Sequence, residues 1–173
     1  MDFPYFSEIT NALGVEGLFI ENLTGTHRHQ MLFSYQEKSL EKINNMIESA
    51  RTISESAGVP ILRNKVELPF NTSVQSEYHE FHVKLYAPRF RDEQILKFCD
   101  ENLLACGWDF NRSNLQNRKW FITSRDYHEA INVEHVFTSM IKKIQREFGN
   151  LVTGSIIETC VFDDNPAIDE GWL

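Results

Sequence analysis

The chain has 173 residues, 42% of them apolar, which suits one well-buried domain or two small halves sharing an interface and argues against disorder. Its net charge of −8 opposes nonspecific association with nucleic acid or anionic membranes, where affinity rests on lysine and arginine. The opening MDFPYFSEIT has neither a basic n-region nor an apolar h-segment, and no apolar run approaches the ~18 residues of a membrane span, so a cytoplasmic location is expected.

Taken in chain order, SEITNALG reads as a short helix beginning at Ser7. GLFIEN and HQMLFSY read as strands, with LTGT suited to a hairpin turn between them. SLEKINNMIESARTISESAG places Leu40, Ile43, Ile47, Ala50 and Ile53 on one helical face, with Ser39 as N-cap and Gly58 as the stop. ILRNKVELPF and YHEFHVKLY follow as strands. RDEQILKFCDENLLACG is a helix with Asp92 near its start and a stripe of Ile95, Leu96, Cys99 and Leu103. GWDFN and RKWFITSR read as strands around a turn at SNLQN. INVEHVFTSMIKKIQREFG carries the clearest helical period, through Val133, Val136, Phe137, Met140, Ile141, Ile144 and Phe148, with Gly149 as C-cap. GSIIETCVF is the last strand, ahead of an acidic tail.

From Tyr78 onward this order is βαββαβ, the plan of a ferredoxin-like unit. The first half repeats it at nearly constant offset: Gly17 to Ser34 covers the same positions as Gly107 to Ser124, and further on Gly58 matches Gly149 and Glu67 matches Glu158. The expected fold is α+β, two ferredoxin-like halves built of antiparallel sheets with helices on one face. Residues 1–73 form a half lacking its first strand and 74–165 a complete half, while the tail 166–173 docks through Ile168, Trp172 and Leu173.

Strand alternation then separates the faces. Phe81, Val83 and Leu85 point inward, leaving Tyr78, Glu80, His82, Lys84 and Tyr86 outward. Trp120 and Ile122 point inward, leaving Lys119, Phe121, Thr123 and Arg125. Leu62, Val66, Leu68 and Phe70 are the inward set of their strand, opposite Arg63, Lys65 and Glu67, and Glu158 matches Glu67. The candidate site is this outward surface, an antiparallel sheet commonly having one solvated face. Lys84, Arg125, Arg63 and Lys65 supply donors for a phosphate or carboxylate, with Thr123, Glu67, Glu80 and Glu158 beside them and the rings of Tyr78, Tyr86 and Phe121 for a planar group. His82 is the candidate proton shuttle, and His79 falls on the apolar face.

Metal and cofactor chemistry are not expected. His27 and His29 form an H-x-H without a third ligand nearby, and Asp163, Asp164 and Asp169 do not fit an EF-hand loop. Cys99, Cys106 and Cys160 form no CxxC pair and read as core thiols. None of G-x-x-x-x-G-K-[ST], G-x-G-x-x-G, G-x-S-x-G or H-E-x-x-H occurs.

Two ferredoxin-like halves around a polar groove resemble the 2H phosphoesterases, named for paired His-x-Ser/Thr motifs. This chain has His82-Val83-Lys84 once, with no equivalent strand in the first half. The resemblance implies a metal-independent phosphodiesterase-like hydrolase with His82 as general acid or base. KWFITSR and DDNPAIDEGW also resemble small uncharacterised bacterial or phage proteins, which imply no function. The leading expectation is noncatalytic binding of an anionic, nucleotide-like small molecule on the open face. The alternatives are that hydrolase and an acidic inhibitor or adaptor engaging a protein partner through its tail. An exposed strand edge makes a homodimer a further expectation.

Overall fold

The computed structural model describes residues 4–22, 26–71, 73–88, 91–102, 119–127 and 133–170, and the backbone of 109–115. The elements are α1 (Pro4–Leu13), β1 (Gly17–Asn22), β2 (His29–Phe33), α2 (Leu40–Ser56), β3 (Lys65–Pro69), β4 (Tyr78–Tyr86), α3 (Asp92–Asn102), β5 (Asp109–Leu115), β6 (Lys119–Asp126), α4 (Val133–Phe148) and β7 (Val152–Asp163). Short 3-10 turns follow at Gly149–Leu151 and Pro166–Asp169. The fold is α+β, and no helix among the described residues is long and apolar enough to cross a membrane.

The seven strands among the described residues join in one antiparallel sheet in the order β2-β1-β5-β6-β4-β7-β3. The strands of the expected second half, β5-β6-β4-β7, occupy the middle. The β1–β2 hairpin joins β5 on one side, pairing Ile20 with Leu115 and Asn22 with Ser113, and β3 joins β7 on the other. The strands of residues 1–73 are therefore split between the two edges, and the segment expected to form the other half lies between them.

Alternation along β4 places the core. Phe81, Val83 and Leu85, with Trp120 and Ile122 of β6, are buried against Ile95, Phe98 and Cys99 of α3 and Val133, Phe137, Met140, Ile141, Ile144 and Phe148 of α4. The Phe81 and Phe137 rings meet edge-on, 4.8 Å between centroids. Each fully buried large apolar side chain of this kind contributes about 1.5–3 kcal/mol of transfer free energy. α1 packs on α2 and on β1, where Gly17 lies so close to the Phe6 ring that a Cβ would stand 2.6 Å from it. Ser39 caps α2 by accepting from Lys42 N, and Gly58 and Gly149 take left-handed φ of 69° and 51° after their helices.

Several local expectations change. α1 begins at Pro4, ahead of Ser7, because proline is pre-set for the first turn of a helix. β5 runs on through Ser113, Asn114 and Leu115, read as a turn, because β6 and β1 pair with that stretch from both sides. The segment 61–64 is not a strand, and Leu62, expected inward, is exposed. A bulge between Val66 and Glu67 interrupts the simple alternation of β3. Leu40, at the first turn of α2, is also exposed. His79 is buried on the core side as its parity implies, edge-on to Phe70 and within 3.2 Å of Thr159 Oγ1, and burial pushes its imidazole below the usual value. Cys99 and Cys160 are buried free thiols; Cys106, Leu103, His128, Trp172 and Leu173 lie outside the described residues.

Candidate functional site

Cross-strand register lays out the face opposite α3 and α4. Glu80 pairs with Arg125 on β6 and Glu158 on β7, His82 with Thr123 and Ile156, Lys84 with Phe121 and Gly154, and Tyr86 with Lys119. Directly paired residues share a face, so these rows form one surface. The surface is not uniformly wet. Tyr78, Glu80 and Arg125 are 2%, 1% and 3% exposed, whereas Lys84 and Tyr86 at the other end of β4 are open to solvent.

The cause of the burial is the chain after β7. The 3-10 turn at Pro166–Asp169 brings Asp169 over Arg125, which donates to it from Nη2 at 2.6 Å, while Arg63 Nη1 donates to the same carboxylate. Arg63 Nε donates to Asp163 Oδ1 at 2.8 Å, and Tyr78 donates its hydroxyl proton to Asp163 Oδ2 at 2.6 Å. The Arg125 guanidinium also lies over the Tyr78 ring, 4.5 Å from its centroid. Further hydrogen bonds hold the strap in place: Asn64 donates its N–H and side-chain amide to Asp164, Asn165 Nδ2 donates to Leu62 O, and Thr26 N–H donates to Glu170 O. Burial would raise the Asp163 carboxyl, yet hydrogen bonds from Arg63 and Tyr78 hold it below its usual value. Burial, reinforced by the Glu80 charge, keeps the Tyr78 phenol protonated far above its usual range.

Next along the face, Glu80 is the hub. It accepts from Arg125 Nε at 2.6 Å on one oxygen and from Lys65 Nζ at 2.8 Å on the other, with His82 Nε2 3.2 Å from that second oxygen. Burial alone would raise its carboxyl, but Lys65, His82 and Arg125 together hold it well below the carboxylate range. Lys65 Nζ also stands 2.7 Å from Glu67 Oε1, a close ion pair. Burial, opposed by Lys65 and reinforced by Glu80, pushes the Glu67 carboxyl upward.

His82 stands at the boundary between the buried and open ends. Its Nδ1 is 2.8 Å from Thr123 Oγ1, and its Nε2 faces Glu80 Oε2 at 3.2 Å and Glu158 Oε2 at 3.4 Å. Donor atoms of Glu67, His82 and Glu158 all lie within 4.8 Å of one another. The Thr123–His82–Glu80 line has the connectivity of a nucleophile, base and acid, but Thr123 is 8% exposed and enclosed within the sheet, which keeps its hydroxyl from a substrate.

The residues expected to form the site thus divide. Arg63, Lys65, Glu67, Glu80, His82, Thr123, Arg125 and Glu158 come together; Lys84 and Phe121 form a separate pair further along, with the ammonium 5.4 Å over the ring, and Tyr86 lies beyond them. The cluster holds three cations, Arg63, Lys65 and Arg125, all engaged by carboxylates. Against them stand five carboxylates, Glu67, Glu80, Glu158, Asp163 and Asp169, leaving two net negative charges when His82 is neutral. Arg63, Lys65 and Arg125 are therefore consumed internally, and Arg63 reaches the cluster from outside any strand. Asp163 and Asp169 belong to the same cluster but read in the sequence only as an acidic tail; the Asn165-Pro166 turn, which folds them back, was the one local signal. No family model, curated protein or solved structure matches this chain.

Proposed function

We propose that the chain binds a divalent transition-metal ion, zinc or manganese in character, through Glu67, His82 and Glu158, as a binding site without catalysis. The observation that carries this is the ring of His82. If Nδ1–H donates to Thr123, Nε2 turns a lone pair toward Glu80 Oε2 and Glu158 Oε2, a repulsion that a cation between Nε2 and Glu158 would relieve. A proton fills that role in the neutral alternative tautomer, and an ion displaces it. His82 Nε2 and Glu158 Oε2, 3.4 Å apart, already have about the separation of two ligands on one ion with bonds near 2.1 Å. Glu67 completes the set, with a carboxylate oxygen within 4.8 Å of the ligand atoms of His82 and Glu158, while Lys65 keeps its bond to Glu80. Imidazole with two carboxylates favours zinc, manganese or iron over calcium or magnesium. The charge agrees, since one divalent ion balances the two net negative charges of the cluster.

The fold reading that accompanies this is a ferredoxin-like segment, Tyr78–Asp163, extended at both edges by a duplicated first segment. The βαββαβ element order supports it, and so does the pairing of β3 with β7, which brings the matched residues Glu67 and Glu158 to one site.

Titration of the metal-free chain with Zn²⁺, Mn²⁺ and Co²⁺ tests the site by calorimetry and thermal shift, with Co²⁺ absorption bands as a direct report of ligation. One equivalent is expected to bind, stabilising the fold by about 2.7 kcal/mol at a hundredfold excess over Kd. His82→Ala and Glu158→Gln are expected to abolish the shift, and Lys97→Ala, distant on α3, to retain it. An unshifted wild type, or full binding in His82→Ala, refutes the assignment.

A further inference from the structure

The sheet ends in two unlike edges, β3 and β2. Both strands are five residues long, so length does not separate them. β3 carries Lys65, Glu67, Pro69 and a bulge after Val66, the features that keep an edge strand from pairing with another chain. β2 has no lysine, arginine, carboxylate or proline, and its register with β1 runs from Gly17–Phe33 to Glu21–His29 without a bulge. Among the described residues, no backbone group of β2 hydrogen-bonds to anything but β1. The phase of that ladder says which groups face the edge. Asn22 N–H donates to Arg28 O, so these two are a hydrogen-bonded pair, and by alternation Ile20–Gln30 and Leu18–Leu32 are the next such pairs. His29, Met31 and Phe33 therefore turn their N–H and C=O groups away from β1, and the Met31 side chain is 41% exposed.

We infer that β2 pairs antiparallel with β2 of a second copy of this chain, about a two-fold axis at Met31, joining the two sheets into one. Met31 then lies opposite its own counterpart and His29 opposite Phe33, which brings edge-facing groups onto edge-facing groups for about six N–H···O bonds. The occupant is a second copy because the match is self-complementary: one rotation satisfies His29, Met31 and Phe33 of both chains in a single register. Charge agrees. A chain of net charge −8 opposes its own association, and β2 is a strip on which no like-charged side chains come opposite one another. The guarded β3 edge stops the assembly at two copies. The inference is independent of the metal assignment, because Glu67, His82 and Glu158 belong to β3, β4 and β7, away from this edge.

Sedimentation equilibrium and residue-resolved amide exchange on the full chain test this. The wild type is expected to sediment at twice the chain mass at sub-millimolar concentration, and its Met31 and Phe33 amides to exchange at least about tenfold more slowly there than after dilution to monomer. Met31→Lys sets two like charges opposite each other, and Met31→Pro removes an edge-facing donor while leaving every bond to β1 in place; both are expected to be monomeric. Leu62→Lys, at an exposed position ahead of β3, is expected to remain dimeric. A wild type that stays monomeric overturns the second copy as occupant, and species larger than a dimer overturn the closed assembly. A dimer that survives both Met31 substitutions, or one whose Met31 and Phe33 amides exchange as fast as in the monomer, overturns the β2 seam. The exchange measurement uses the wild type alone and so decides the question where a variant does not fold.

Discussion

Arg125→Ala is the sharpest test of the charge network. The Arg125 side chain is 3% exposed and holds Glu80 and Asp169, which are 1% and 4% exposed. Removing one partner of a buried pair costs about 3–5 kcal/mol, because the remaining charge keeps its desolvation penalty and loses its compensation. Both carboxylates here retain another cation, Lys65 on Glu80 and Arg63 on Asp169, which places the expected loss near the lower end, about 3 kcal/mol. For a chain of this length that corresponds to a fall in Tm of roughly 6–12 °C at about 2–4 °C per kcal/mol. Urea denaturation and calorimetry measure it. In an Asp169→Ala background the same substitution is expected to cost at least about 1 kcal/mol less, since the two side chains share one contact. A loss below about 1 kcal/mol in the wild-type background would mean that the pair is solvated, and the argument from burial would fail.

Other consequences follow from the same structure. Asp163 has a depressed carboxyl in the folded state, so its contribution to stability is present above its unfolded value near 3.8 and is lost as pH falls through the folded value. Acid denaturation should therefore steepen below about pH 4 and become shallower there in Asp163→Asn, as read from Tm against pH; parallel curves would contradict the assignment. Phe81→Ala removes a fully buried ring from the face of Phe137 and is expected to cost about 3–5 kcal/mol in chemical denaturation, with a cost under about 1.5 kcal/mol indicating a core that collapses around the gap. Gly17→Ala places a methyl against the Phe6 ring and is expected to destabilise by about 1–3 kcal/mol, and Phe6→Leu should recover part of that loss; additive losses would show that the contact is unimportant.

Periodicity made the helices and the inward face of β4 legible, since Phe81, Val83 and Leu85 alternate with polar residues and α4 repeats its apolar stripe over four turns. Alternation also brought Glu80, His82, Thr123 and Arg125 onto one side correctly. It could not tell that this side is dry at one end. Dryness there depends on Asp163 and Asp169 meeting Arg63 across separations of 100 and 106 residues, and nothing local in FDDNPAIDE says which cation it will meet. Those contacts engage Arg63 and Arg125, and Glu80 and Glu67 engage Lys65, leaving Lys84 exposed among the four expected anion donors. Strand order was equally hidden: β1, β2 and β3 read as consecutive strands of one half, while hydrogen bonding across the sheet distributes them to its two edges.

The position of β7 bears on how the molecule is made. It is the last strand in sequence among the described residues, yet it lies inside the sheet between β4 and β3 and supplies Glu158 to the cluster and Asp163 to Arg63. During synthesis, β4 waits with one edge unsatisfied, and β3 has no neighbour at all, until the ribosome has released the residues around Val152–Asp163. Insertion of that strand joins β3 to the rest of the sheet and brings Glu158 to His82. A chain stopped before it would expose the β4 edge to aggregation.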